Sequence, residues 1–195
     1  MRGVATRKGM LTVLSGPSGV GKSTIIKELL NDGRYALSVS ATTRAPREGE
    51  QHGVDYYFLS EEEFESKIAS AAFLEYATVH EKHRYGTLKS EVTRLVGLGR
   101  IVVLDIDVQG FLNLETSVES TNVFVAPPTF EVLEQRLRSR GSENEESLER
   151  RLETARWELS QQDKYDHVVV NNDLQIAIQN INEILSAGNA DDLDL

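Results

Sequence analysis

Residues 16–23 read Gly16-Pro17-Ser18-Gly19-Val20-Gly21-Lys22-Ser23, a G-x-x-x-x-G-K-S loop between the β-branched run Met10–Ser15 and an apolar stretch opening at Thr24. A strand, a glycine-rich turn and a helix in immediate succession are the setting in which this motif has physical meaning. Glycines let backbone N–H groups close on phosphate oxygens, and the helix N-terminus adds a positive partial charge. Lys22 then reaches the terminal phosphates of a nucleotide and the Ser23 hydroxyl can ligate Mg2+. The loop therefore constrains the fold, an α/β sheet with its ligand at the carboxyl end of a strand, together with the ligand chemistry. A dinucleotide fingerprint is excluded, because G-x-G-x-x-G read from Gly19 needs glycine where Thr24 stands.

The remaining pattern agrees with a parallel α/β fold. Arg100–Asp105, Thr121–Ala126 and Asp166–Val170 are further strand candidates, and continuous apolar runs among them predict burial on both faces. Helical stripes run through Leu88, Val92, Leu95 and Val96, through Leu148, Leu152, Ala155 and Leu159, and through Leu174, Ile178, Ile181 and Leu185. Strands alternating with such stripes predict a parallel sheet flanked by helices. Two segments interrupt the alternation. Residues 38–87 hold a strand-like Val54–Leu59 and a helix-like Glu61–Ile68, which predicts a small inserted α+β subdomain. Residues 129–160 read as two helices around a Gly141–Glu146 loop, carry six of the 14 arginines, and form a candidate lid.

Composition narrows the partners. A chain of 195 residues is one domain's length, and without cysteine it has no disulfide staple. Its 21 Lys+Arg against 31 Asp+Glu give a net charge of −10, which opposes non-specific binding to nucleic acid or an anionic membrane. No apolar run is long enough for a bilayer, and residues 1–9 are positive with no apolar region behind them, unlike a secretory signal. The expectation is a cytoplasmic monomer or small homo-oligomer. The division expected is a flexible arm over 1–9, one domain over 10–187 and a disordered acidic tail over 188–195. Within the domain, a core of about 10–38, 90–128 and 161–187 carries the subdomain at about 39–89 and the lid at about 129–160.

Ile101-Val-Val-Leu-Asp105-Ile-Asp107 places two carboxylates two residues apart at the end of an apolar strand. One of them suits magnesium, directly or through water, and the other is free for a different task. His80-Glu-Lys-His83 is one residue short of the H-E-x-x-H zinc spacing and carries no metal assignment.

Taken in order, Gly16–Thr24, Ser38–Arg47, Gly53–Phe58, Phe73–Tyr76, Tyr85–Thr87, Leu104–Gly110, Ala126–Pro128 and Val170-Asn171 resemble the guanylate kinase family from about residue 10 to residue 187. The resemblance implies a P-loop kinase core and the reaction ATP + GMP = ADP + GDP, with Mg2+. It implies ATP contacts from Gly16, Pro17, Ser18, Gly19, Val20, Gly21, Lys22, Ser23, Thr24 and Asn171, with Ser23 and Asp105 toward the metal. GMP would be held by Ser40, Arg44, Arg47, Tyr56 and Tyr85 at its phosphate, and by Glu75, Thr87 and Asp107 at guanine. Lys22, Arg44, Arg136, Arg140 and Arg151 would stabilise the transferring phosphoryl group.

The residue types suit those tasks. Arginine forks and neutral hydroxyls match a dianionic phosphate, and carboxylates accept from guanine N1 and N2, where adenine presents no such pair of donors. Within the lid, Arg136 and Arg140 are four apart and share a helix face, while Arg138 points elsewhere and reads with Arg150 as a solvated, ion-paired residue. Arg84 stands where family members often carry an aromatic residue. A phosphopeptide-binding module of guanylate-kinase-like fold is the contrasting class, but such modules typically have a degraded ATP loop, and this loop is complete. Acceptors such as AMP, CMP or UMP are disfavoured by Glu75, Thr87 and Asp107.

Overall fold

The computed structural model describes residues 9–79, 83–114, 118–139 and 145–187. The expected arm over 1–9, apart from Gly9, and the tail over 188–195 lie outside these residues, as do His80, Glu81 and Lys82. In chain order the elements are β1 (Met10–Ser15), α1 (Lys22–Leu29), β2 (Tyr35–Leu37), β3 (Ala41–Thr42), β4 (Tyr57–Phe58), α2 (Glu61–Ala69), β5 (Phe73–Val79), β6 (His83–Leu88) and α3 (Lys89–Gly97). There follow β7 (Ile101–Asp105), α4 (Val108–Leu112), β8 (Thr121–Ala126), α5 (Phe130–Ser139), α6 (Glu145–Leu159), a 3₁₀ turn at Gln162–Lys164, β9 (His167–Val170) and α7 (Leu174–Ala187).

A five-stranded sheet has the order β2-β7-β1-β8-β9, and a four-stranded sheet the order β4-β3-β6-β5. In the larger sheet β2 pairs with β7, β1 with β8 and β8 with β9, all in parallel. Contacts divide the chain into two compact units, one built on residues 34–104 and the other on residues 12–33, 105–108 and the chain from 121 onward.

The first unit contains the smaller sheet. Its core is Ala41, Phe64, Phe73 and Leu88, closed by Tyr57, Leu59 and Ile68. Phe64 on α2 stacks on Phe73 of β5 with ring centroids 4.5 Å apart. Ser60 starts α2 with a capping box: its hydroxyl accepts the Glu63 N–H while the Glu63 carboxylate accepts the Ser60 N–H. The strand predicted over Val54–Leu59 is shorter than expected, with only Tyr57 and Phe58 in β4. The Asp55 carboxylate accepts the Gln51 N–H at 2.7 Å and Gly53 N–H donates to Tyr56 O at 2.8 Å, so residues 51–56 close a turn instead. The antiparallel β5–β6 pair was not marked as strands by periodicity, because Glu75, Thr78, Arg84 and Thr87 break the apolar alternation.

The second unit is organised on β1, β8 and β9. Val13, Leu14, Val123, Phe124 and Val125 are buried in its strands, Ile25, Ile26 and Leu29 on α1, and Ala177, Ile181 and Leu185 on α7. Leu133 and Leu137 of α5 and Leu148, Leu152 and Ala155 of α6 are buried as well. The strand at 166–170 departs from burial on both faces. It lies at the sheet edge, where Val168 and Val170 are exposed and Val169 alone of the three is buried.

Candidate nucleotide-binding sites

Strand β1 delivers the glycine loop directly to α1, which begins at Lys22, two residues earlier than the apolar run suggests. Gly21 caps the helix in the left-handed region, φ 99°, and a Cβ there would lie 2.5 Å from Asn171 Nδ2. Gly16 has φ 144°, and a Cβ would collide with the Val125 carbonyl oxygen on β8. Packing as well as phosphate access therefore demands glycine at both positions.

Around this loop the second unit gathers several of the residues singled out by sequence. Lys22 Nζ lies 2.8 Å from Asp105 Oδ1 and donates to Ile106 O at 3.0 Å. Asn171 Nδ2 donates to Val20 O at 2.8 Å, and Arg136 donates to Val20 O at 3.3 Å and to Asn171 O at 3.1 Å. Arg136 and Asn171 thus brace one loop carbonyl, that of Val20. Arg151 Nη2 donates to the Ser18 hydroxyl at 2.7 Å. Arg138 bridges Glu134 and Glu145, and Arg150 pairs with Glu146, all exposed ion pairs of the kind that contribute little to stability. Arg140 lies outside the described residues. Asp107, half-buried, follows the end of β7 by two residues.

Glu158 was missed. It is 7% exposed on α6, and burial followed by the charge of Asp107 pushes its carboxyl up to about 7, while Lys22 opposes the shift. The signal was present: a glutamate three residues after Ala155 continues the buried stripe in place of Leu159, which is only half-buried.

The first unit holds the other group of residues. Arg44 pairs with Glu50 at 2.8 Å and lies over the Tyr56 ring at 5.4 Å from its centroid and over Phe58 at 5.9 Å. Tyr56 and Tyr85 meet edge to face at 5.9 Å. The Arg47 backbone N–H donates to Glu50 Oε2 at 2.7 Å, and its side chain is exposed. The bonds from Arg44 and the Arg47 N–H hold the Glu50 carboxyl below its ordinary range. Glu50 too was missed, since a glutamate in a Glu-Gly-Glu run reads as a solvated surface.

Ser40 is half-buried, and its carbonyl accepts the Tyr57 N–H at 2.8 Å. Glu75 and Thr87 are opposite one another across β5 and β6, both buried, with the threonine hydroxyl donating to Glu75 Oε1 at 2.7 Å. Arg84 replaces an aromatic ring by lying over Phe64 at 5.9 Å and pairing with Glu65 and Glu61.

Comparison with known proteins decides the family. The guanylate kinase family model matches residues 8–188. The chain belongs to the guanylate kinase family. It is 48% identical to a guanylate kinase of Clostridium tetani over 92% of this chain and 86% of that one, and 44% identical to one of Rickettsia bellii over 91% and 94%. The crystal structure of guanylate kinase from Anaplasma phagocytophilum superimposes with a TM-score of 0.73 at 33% identity, covering 93% of this chain and 86% of that one. This guanylate-kinase chain is therefore a phosphotransferase with a parallel sheet flanked by helices. Among the described residues, no helix is long and apolar enough to cross a membrane.

Proposed function

We propose that the two groups of residues divide the work of ATP + GMP = ADP + GDP, the guanylate kinase reaction, with ATP at the glycine loop and GMP in the first unit. The observation that carries the reading is the complete loop with Lys22 at its helix start, 2.8 Å from Asp105. Residues 16–24 would hold the ATP phosphates by backbone N–H groups, Lys22 charge and the α1 N-terminus. Asn171 would reach ATP only indirectly, through Val20. The Ser23 hydroxyl, exposed on the first turn of α1, and the partly exposed Asp105 carboxylate are hard oxygen donors of the type magnesium takes in small number beside substrate phosphates. Bound with ATP, magnesium neutralises charge on the β- and γ-phosphates.

In the first unit, Arg44 and Arg47 with Ser40, Tyr56 and Tyr85 would grip the GMP phosphate. Its arrival requires a share of the Arg44 guanidinium now held by Glu50, a charge-assisted bond exchanged for a like one. Glu75, oriented by Thr87, accepts from guanine. No general base is required: a GMP phosphate oxygen, largely dianionic at neutral pH, attacks the γ-phosphorus in line, and the bond to the β-bridging oxygen breaks to leave ADP. Arg136, Arg140 and Arg151 would offset the charge on the equatorial oxygens.

The division of sites is tested by two substitutions. Arg47→Ala should weaken GMP binding by about tenfold or more and ATP binding by less than about twofold. Lys22→Ala should lower kcat by at least about a hundredfold while GMP binding persists. Equal losses for both nucleotides in Arg47→Ala, or a normal kcat in Lys22→Ala, would refute it.

A further inference from the structure

The three chain segments that carry Arg44, Tyr56 and Tyr85 are tied together at Thr42, which is fully buried at the end of β3. Its carbonyl accepts the Leu59 N–H at 2.9 Å, just past β4 and three residues beyond Tyr56. Its hydroxyl donates to Arg84 O at 2.9 Å, beside Tyr85 on β6, and accepts the Arg44 N–H at 3.1 Å. A hydroxyl that takes the N–H two residues on closes a local turn, and the chain bends here as it leaves β3. The pairing of β3 with β6 has other support. Thr43 N–H also donates to Arg84 O at 3.1 Å, and the Thr43 hydroxyl accepts the Arg84 N–H at 3.1 Å. Arg84 therefore keeps both backbone bonds without Thr42 Oγ1, whereas the Arg44 N–H relies on that oxygen. Beyond the turn, the Arg44 guanidinium reaches Glu50 at 2.8 Å and lies over Tyr56, whose ring meets Tyr85.

We propose that Thr42 is a positioning residue for the GMP phosphate: its hydroxyl, shared between Arg84 O and the Arg44 N–H, sets the turn that aims Arg44 over Tyr56. Thr42 touches no substrate and acts through Arg44. The inference rests on the assignment of GMP to the first unit.

The test is steady-state kinetics, with each substrate varied at saturating concentration of the other, for the wild type, Thr42→Val and Thr42→Ser. Valine keeps the shape but removes the acceptor, and should raise KM for GMP about tenfold, the ratio one net hydrogen bond can carry, with KM for ATP within about twofold. Serine keeps the hydroxyl and loses a buried methyl group, so it should cost stability yet stay within about threefold of the wild-type KM for GMP. Inhibition by guanosine, which has the base and no phosphate, should be within about twofold of wild type in both variants. Should the valine variant not fold, Thr42→Ala, which also lacks the hydroxyl, should raise KM for GMP in its place. An unchanged KM for GMP in a folded valine or alanine variant overturns the proposal. So does an equal weakening of guanosine and GMP, or a serine variant as impaired as valine. A wild type that binds GMP without turnover would refute the proposed reaction alone, and direct GMP titration of the same variants would decide the role of Thr42 by the same ratios. A wild type that binds no GMP would overturn the site assignment and the role of Thr42 with it.

Discussion

Lys22 is held between a carboxylate and a carbonyl, and the Thr87 hydroxyl holds Glu75, so each of these two residues already has a protein partner that fixes its rotamer. Preorganised groups of this kind are what a site needs if substrate binding is to cost little side-chain entropy. Glu75 supplies the clearest single-residue prediction. Glu75→Gln keeps the shape and the bond from Thr87 but exchanges an acceptor oxygen for an N–H donor facing guanine, so preference for GMP over AMP should fall by about tenfold or more. Competing the two acceptors in one assay measures it, and an unchanged ratio removes Glu75 from base recognition. At this scale the chemical types were legible and their partners were not. Loop spacing exposes Lys22, and the clustered Arg44 and Arg47 announce an anion. Glu50 carries no local signature, because what makes it informative is Arg44 folded against it six positions away, whereas Glu158 shows only as a place on the buried stripe of α6.

Among the elements, α2 shows how a short polar helix is made to serve a site. Its nine residues bury Phe64 alone, far too little intrinsic propensity for an isolated helix. The capping box at Ser60 and the stack of Phe64 on Phe73 fix it, and Phe73 lies two residues before Glu75 on β5. Ser60→Ala should therefore lower stability by about 1 kcal/mol, and Ser60→Asp, which retains a capping oxygen, by much less. Urea denaturation reads both; equal losses would show that the cap does not hold this helix. Helical stripes were legible because burial on one face imposes the 3.6-residue period. The β5–β6 pair was not, since one of its buried positions is a glutamate and another a threonine, where burial follows hydrogen bonding instead of hydropathy.

For the molecule as a whole, pH dependence follows from Glu158. Its folded value of about 7 lies above the ordinary 4.5, so the native state holds a proton there that the unfolded chain releases. Stability from this group is complete below about pH 4.5 and is lost as pH rises toward and past 7, by up to about 3 kcal/mol. Glu50 has the opposite sign, contributing above its ordinary range and losing that contribution as pH falls. Comparing Glu158→Gln with the wild type isolates the first effect: the variant should gain relative stability steadily from pH 5 to pH 8, and a constant difference would contradict it. At this scale the parallel sheet with its helices was readable from alternation, and the family from an ordered set of short motifs. The edge position of β9 was not, because three consecutive valines read as interior whichever strand they occupy.

The central claim is that this chain moves a phosphoryl group from ATP to GMP and chooses guanine in doing so. ADP release measured with ATP, magnesium and each of GMP, AMP, CMP and UMP in turn tests it most directly. The account predicts rapid turnover with GMP and at most about one part in a thousand of that rate with the others. A folded protein that binds GMP yet releases no ADP with any acceptor, or that turns over AMP as readily as GMP, would contradict it.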